Sequence, residues 1–420
     1  MKNDIAWEKL FEKNDILKHV EEKGIFTISA KQIKEFREPR LMTKFDHKIN
    51  LPKIFKENEL AILPITRGDY IIAKFDAYHK FEPEITELIN VSPLENIQSL
   101  NDSDIFSEAV ALNYALASGI IADFLEDDPI IATISGRMGT GEFDFKISGA
   151  PLSINVINSQ MEIDATYEGI SSMAIFEAKM DISDDFIIRQ LYYPFRVWQK
   201  RITKTVRPVF FVYSNGIFRL HEYIFEDVND YSSIKLIKQK NYSVEDTSIS
   251  SDDIRNIMNA LTIIAEPEIP FPQADNFERI INLCELIDKC ERSKSDITEH
   301  YAFDERQADY YANAALYLGL LERRNENRNK IYELSKKGKT ILRMNYKKRQ
   351  LSYCECILSH EIFNIMLKQY FNSGYMPSNE DIIIAMKNCG LYKINSEETF
   401  KRRASTIKGW LNWITGIITE

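Results

Sequence analysis

The sequence predicts a mixed α/β core between a small N-terminal α+β segment and a mainly helical C-terminal region. Three observations predict it. Between residues 96 and 266, a helical pattern leads into several strand-like runs, a second helix and two more strands. The stretch Pro267–Gln273 (PEIPFPQ) carries three prolines in seven residues and reads as a linker. Beyond it the apolar spacing is mainly helical. The length of 420 residues agrees, because roughly 100–200 residues per domain predicts two to four domains.

Taken in order, Asp15–Lys23 and Ala30–Arg37 have helical spacing. Leu60–Pro64 and Tyr70–Phe75 are strand-like around the turn Thr66–Asp69. Residues 1–95 are therefore predicted as one small domain. Ser103–Phe124 reads as a long helix capped by Ser103 or Asp104. Ile130–Ser135, a glycine-rich turn at Gly136–Gly141 and an alternating strand at Phe143–Ile147 follow. The glycine segment lacks the Gly-Lys-Ser/Thr ending of a phosphate-binding loop. Met161–Tyr167 and Met173–Lys179 read as strands around Gly169, and Asp184–Lys200 as a helix. Asn215-Gly216 between Pro208–Tyr213 and Ile217–Phe225 is the strongest hairpin signal. These elements make 96–266 one domain. The rest divides into 274–345 and 346–420.

With 44% apolar and 28% charged residues, the composition excludes a disordered chain and a membrane bundle. The weakly polar Ala109–Ala122 is too short to span a bilayer. The start, MKNDIAWEKL, lacks the cationic-then-apolar pattern of a signal peptide, so a soluble chain is expected. Five cysteines (284, 290, 354, 356, 389) without a C-x-x-C pair suggest neither a disulfide framework nor a four-thiolate zinc site. Reduced thiols are expected. The net charge is −10, yet residues 322–349 hold eleven basic and three acidic residues. That concentration is a weak pointer to a polyanionic partner, weighed against an ordinary solvated face.

The most informative residues are Glu162-Ile163-Asp164 and, after twelve residues, Glu177-Ala178-Lys179. Side chains two apart on a strand share a face, so Glu162 pairs with Asp164 and Glu177 with Lys179. Pairing the strands through Gly169 lets Asp164, Glu177 and Lys179 converge. Acids and a lysine at the end of an apolar strand are costly unless they pair or bind a cation. Two carboxylates offer hard oxygen ligands to Mg²⁺, with the carbonyl of Ala178 as a third. The ammonium of Lys179 can orient water and stabilise a pentavalent phosphorus. Alone, an E-x-K triplet is a common surface feature; the conjunction with E-I-D raises its weight.

Asp164…Glu177-Ala178-Lys179, with the following helix from Arg189 to Arg196, resembles the core of the PD-(D/E)XK nuclease superfamily. The resemblance covers residues 103–226. Ile163 stands where that motif has proline. It implies a restriction-endonuclease-like core with a mixed sheet, Mg²⁺ as cofactor, metal ligands Asp164, Glu177 and Ala178, and Lys179 as helper of the attacking water. Glu162, Glu108 and Gln190 are accessory candidates, though Glu108 also reads as a first-turn helix acid.

In the C-terminal region Phe277–Cys290, Asp296–Tyr301 and Asp304–Leu321 read as three helices. The basic stretch Glu322–Lys330 and Ile331–Leu334 follow. This resembles a winged-helix domain. The resemblance places Arg306, Gln307, Tyr310 and Tyr311 early in a major-groove helix. It places Arg328 and Lys330 on a wing near phosphates. Lys401, Arg402 and Arg403 open a second basic helix whose Trp410 and Trp413 read as core. Lys44 and Arg67 are further candidate DNA contacts.

The expectation is a type II restriction endonuclease acting on double-stranded DNA, homodimeric, in a prokaryotic cytoplasm, with a companion methyltransferase implied by the resemblance. The rivals are a repair or mobile-element nuclease of the same core, a non-catalytic winged-helix regulator, and a protein-interaction scaffold.

Overall fold

A computed structural model describes residues 2–83, 87–94, 97–101, 105–148, 152–245, 247–289, 292–300, 303–326 and 329–419. The chain is mixed α/β and separates into two units. The first comprises Met1–Glu87, Ser107–Val212 and Phe218–Asn241; the second comprises Leu88–Phe106, Tyr213–Ile217 and Tyr242–Glu420. The segment read as a separate N-terminal domain thus shares a unit with the α/β core.

In the first unit, Trp7, Phe11 and Phe55 pack edge-to-face beneath a three-stranded sheet whose strands include Leu60–Pro64 and Asp69–Lys74. The short helix α1 (Pro39–Thr43) carries proline in its first turn, where a missing N–H costs nothing. Strand β1 (Tyr78–Lys80) follows.

The long helix expected from residue 103 is two helices, α2 (Glu108–Ala117) and Ile120–Leu125. Ser107 caps α2 by accepting from Val110 N at 3.3 Å, and Gly119 at φ +81° breaks the pair. The cap candidates Ser103 and Asp104 lie outside the described residues. The glycine-rich segment is not a turn: β2 (Gly136–Gly139) is a strand paired antiparallel with β3 (Gln160–Ile163).

The strand expected over Met161–Tyr167 is broken at Asp164. Its first part is β3; its second part, β4 (Ala165–Glu168), belongs to the seven-stranded mixed sheet. There β4 pairs antiparallel with β5 (Ser172–Lys179) in the register Ala165↔Phe176. The residues read as one helix from Asp184 are a short strand, β6 (Asp185–Ile187), paired with β1, then helix α3 (Arg189–Gln199). The aromatic Phe186 and β-branched Ile187 favour the extended form. Strand β7 (Thr205–Ser214) pairs parallel with β5 from Ser172↔Thr205 to Lys179↔Val212. It leads through Asn215-Gly216, both with positive φ, into β8 (Ile217–Phe225). Strand β5 is flanked on both sides and buried along nearly its whole length. That is why Met173–Phe176 are continuously apolar rather than alternating.

In the second unit the order is helix α4 (Phe277–Lys289), strand β9 (Arg292–Ser293), helix α5 (Lys294–His300), helix α6 (Glu305–Tyr317), then strands β10 (Leu321–Glu326) and β11 (Asn329–Leu334). The three strands form a sheet in the order β9-β11-β10. Asp304 caps α6 by accepting from the N–H groups of Arg306 and Gln307, both at 2.7 Å. Further helices follow, ending with α7 (Glu397–Gly416). Trp410 is fully buried, and its Nε1 donates to the carbonyl of Ala274 at 2.7 Å. Cys284, Cys354 and Cys356 are buried and, with Cys389, unpaired in disulfides; Cys290 lies outside the described residues.

The turn that sets the β4–β5 register leaves no room at Gly169. A Cβ there would fall within van der Waals contact of the Asp127 backbone oxygen and carboxylate. That carboxylate accepts the N–H groups of Ile170, Ser171 and Ser172 and is thereby fixed. Gly169→Ala should cost about 1–3 kcal/mol in urea unfolding; an unchanged midpoint contradicts the close approach.

Candidate active site

The break at Asp164 and the end of β5 build the site. Extending the register Ala165↔Phe176 by one residue brings Asp164 opposite Glu177. The carboxylate of Asp164 turns toward the neighbouring strand and accepts from Ala178 N at 2.8 Å. Glu177 and Lys179, two apart, stand together at the end of β5. Lys179 Nζ donates to Glu177 Oε1, and so does Gln190 Nε2 from the first turn of α3, at 2.6 Å. Glu177 is 7% exposed.

Burial is the main influence on Glu177. It pushes the carboxyl up to about 7, against the pull of Lys179 and with the repulsion of Asp164 and Asp46. Burial alone would weaken the ammonium of Lys179. The acids Glu177, Asp46, Asp164 and Glu108 outweigh it and hold the amine protonated, well above its ordinary value. Glu108, on the first turn of α2, is raised by burial and by Asp164, with Lys179 acting in the opposite sense. Asp164, Glu177, Lys179, Glu108 and Gln190 are therefore brought into one electrostatic cluster, all within the first unit.

Glu162 is not brought in. It is exposed on β3 and faces Arg137 of β2, with Nε to Oε1 at 3.2 Å. The expected shared face with Asp164 fails because the strand changes sheets between them. Lys44, expected as a DNA contact, is exposed and lies 3.4 Å from Asp46, and its charge acts on Glu108. It stands at the rim of this cluster. Arg67 is exposed in its turn.

Residues that sequence reading missed come from the loop after α1. Asp46 is subject first to burial, which raises it. The charges of Lys179, Lys44 and Arg189 prevail and leave it below its usual value. His47 is buried, with Nδ1 2.7 Å from the carbonyl of Asp185 and Nε2 3.3 Å from Asp181 Oδ2. These residues stand 130 positions or more from the E-A-K triplet, and no spacing rule links them to it. Only the mixed charge of 37–46 marked the stretch.

Among the described residues, no group of three or more His, Cys, Asp or Glu is arranged as a ready metal site. The donor chemistry nevertheless fits a hard divalent cation: carboxylates of Asp164, Glu177 and Glu108, and the backbone carbonyl of Ala178. Two buried oxygens, Asp46 Oδ1 and Gln190 Oε1, have no hydrogen-bond partner. An orphaned buried acceptor is costly unless a donor or cation meets it.

In the second unit, Arg306 is exposed on the first turn of α6, and Gln307 and Tyr310 are half-buried. Tyr311 is a correction. It is 5% exposed, packed on Phe303 and beneath the guanidinium of Arg279, so its ring belongs to the core rather than to the outer face of α6. Lys330 is exposed on β11, whereas Arg328 lies outside the described residues. On α7, Lys401 and Arg402 are exposed, while Arg403 is half-buried and donates to Gln273. No described helix is long and apolar enough to cross a membrane.

The chain is similar to three family models, each over part of its length: Domain of unknown function (DUF6996) over residues 4–72, Domain of unknown function (DUF6997) over 73–243, and Domain of unknown function (DUF7226) over 279–419. No curated protein and no solved structure matches. The second of these matches contains Asp164, Glu177, Lys179, Glu108 and Gln190; the first contains Asp46 and His47.

Burial would depress the pKa of His47, but its bonds to Asp181 and Asp185 override that and push it up to about 10. A raised value stabilises the fold fully below the unfolded pKa of about 6.5, and the contribution is lost as pH climbs through about 10. The stability difference between the unaltered protein and His47→Gln should therefore be largest at pH 6 and shrink toward pH 10. Urea melts at both pH values check it, and a constant difference contradicts the pairing.

Proposed function

We propose that the chain is a Mg²⁺-dependent DNA endonuclease of the PD-(D/E)XK type, whose first unit hydrolyses phosphodiesters and whose second unit holds double-stranded DNA. One observation carries this reading: Asp164, Glu177 and Lys179 gather where β4 begins and β5 ends, with Gln190 bonded to Glu177 and Glu108 in electrostatic reach. Asp164, Glu177 and the Ala178 carbonyl would hold the ion, with Glu108 beside them. When bound, the ion lowers the pKa of water and neutralises charge developing on phosphorus. Lys179, kept protonated by its acids, holds a donor toward the attacking water and the phosphoryl oxygens. Gln190 fixes the Glu177 carboxylate by donating to one oxygen.

The second unit supports a DNA-binding role. Its helix–strand–helix–helix–hairpin order and the sheet order β9-β11-β10 agree with the winged-helix reading. Arg306 on α6 and Lys330 beside the hairpin tip are exposed. A type II restriction enzyme is the specific form proposed: a homodimer would cut both strands of a symmetric site, and host DNA would need a protecting methyltransferase.

A second reading, a DNA-binding regulator without catalysis, draws on Glu177 being already bonded to both Lys179 and Gln190. Plasmid cleavage separates the two. Glu177→Ala and Lys179→Ala should each slow Mg²⁺-dependent cutting by roughly 100-fold or more and leave band-shift affinity intact. Variants that cut at the unaltered rate overturn the assigned roles; no cutting by the unaltered protein favours the regulator. Independently, Lys330→Ala should weaken DNA binding on all sequences and reduce the slope of log K against log salt by about 1. A slope left unchanged removes Lys330 from the phosphate contacts.

A further inference from the structure

The loop after α1 closes on the connection between Lys179 and Gln190. Ile187 N donates to the carbonyl of Asp46 at 3.0 Å, Lys48 N donates to Asp185 Oδ1 at 3.0 Å, and Tyr78 Oη donates to the carbonyl of Phe45 at 2.8 Å. His47 sits in the middle of these bonds. Its Nδ1 is 2.7 Å from the Asp185 carbonyl and its Nε2 is 3.3 Å from Asp181 Oδ2. Both partners are oxygens, so the ring donates from both nitrogens. Asp181 follows Lys179 by two residues. Asp185 opens β6, which leads directly into α3 and Gln190. One imidazole therefore spans both ends of the turn that separates the lysine from the glutamine. The neighbouring Asp46 places a further acid toward Lys179 from the same loop.

We propose that His47 is a positioning residue for Lys179: by holding Asp181 and Asp185 it fixes the turn at 180–184, and with it the end of β5 and the entry of α3. The inference rests on the nuclease reading above. It gives residues 1–87 a part in the chemistry in addition to any DNA contact through Lys44 or Arg67.

The test is cleavage of a plasmid in Mg²⁺ by the full chain, with kcat and KM separated and DNA affinity measured in EDTA. His47→Ala should lower kcat by about ten-fold or more with KM and affinity little changed. Hydrogen exchange at the amides of Lys48 and Ile187 should rise. His47→Gln, whose amide nitrogen replaces Nε2, should recover most of the rate. His47→Asn replaces only Nδ1, loses the Asp181 bond, and should cut more slowly than His47→Gln. If His47→Ala does not fold, that pair decides, and equal rates for Gln and Asn overturn the inference. If the unaltered protein cuts and folded His47→Ala cuts equally well, the positioning role falls and the nuclease reading stands. If the unaltered protein does not cut, both fall.

Discussion

A buried carboxylate and a buried ammonium at the end of one strand constrain everything around them. Glu177 and Lys179 lie on β5, which is flanked by β4 and β7 and is otherwise apolar from Met173 onward. Two charges cannot leave water cheaply, and each needs hydrogen-bond partners as well as the other's charge. The fold brings one further hydrogen-bond partner and three acids around them from four directions. Asp164 arrives from the strand break, Gln190 from α3, Glu108 from α2 and Asp46 from the N-terminal loop. Acids outnumber the central ammonium, so the cluster carries surplus negative charge in a half-dry setting. Such an arrangement is suited to attracting a cation.

The cluster also accounts for features that look unrelated along the chain. The Asn158–Asp164 stretch passes from one sheet to another, and that passage frees the Asp164 side chain from a ladder position so that it can meet Ala178 N. The short strand β6 delays the start of α3 until Arg189, which puts Gln190 in its first turn, within reach of Glu177. His47 ties that delay to the N-terminal loop. The acidic balance of the first 275 residues and the basic stretch 322–349 fall largely in different units. Within the proposed nuclease, one unit is suited to a cation and the other to phosphate.

Much of this was legible in the sequence. The strand-like runs around Gly169 and the E-A-K triplet located β4, β5 and their polar end, and Asn215-Gly216 marked the β7–β8 hairpin. The helical spacing of Asp304–Leu321 and the basic run after it marked α6 and β10–β11. What stayed hidden was tertiary. Glu162 and Asp164 look alike at a spacing of two, and only a change of sheet between them separates an exposed ion pair from the buried cluster. Tyr310 and Tyr311 are adjacent tyrosines, and burial of one depends on how α6 rolls against Phe303 and Arg279. Asp46 and His47 carry no local signal, because their partners are distant in the chain. Residues 185–187 read as part of a helix, and pairing with Tyr78–Lys80 makes them extended.

The most direct measurement is digestion of a fully sequenced double-stranded DNA by the purified chain, with Mg²⁺ or with EDTA, followed by mapping of every end. A nuclease of the proposed kind leaves discrete ends at one short recurring sequence with Mg²⁺ and intact DNA with EDTA. DNA that is bound but stays uncut at every divalent concentration contradicts it.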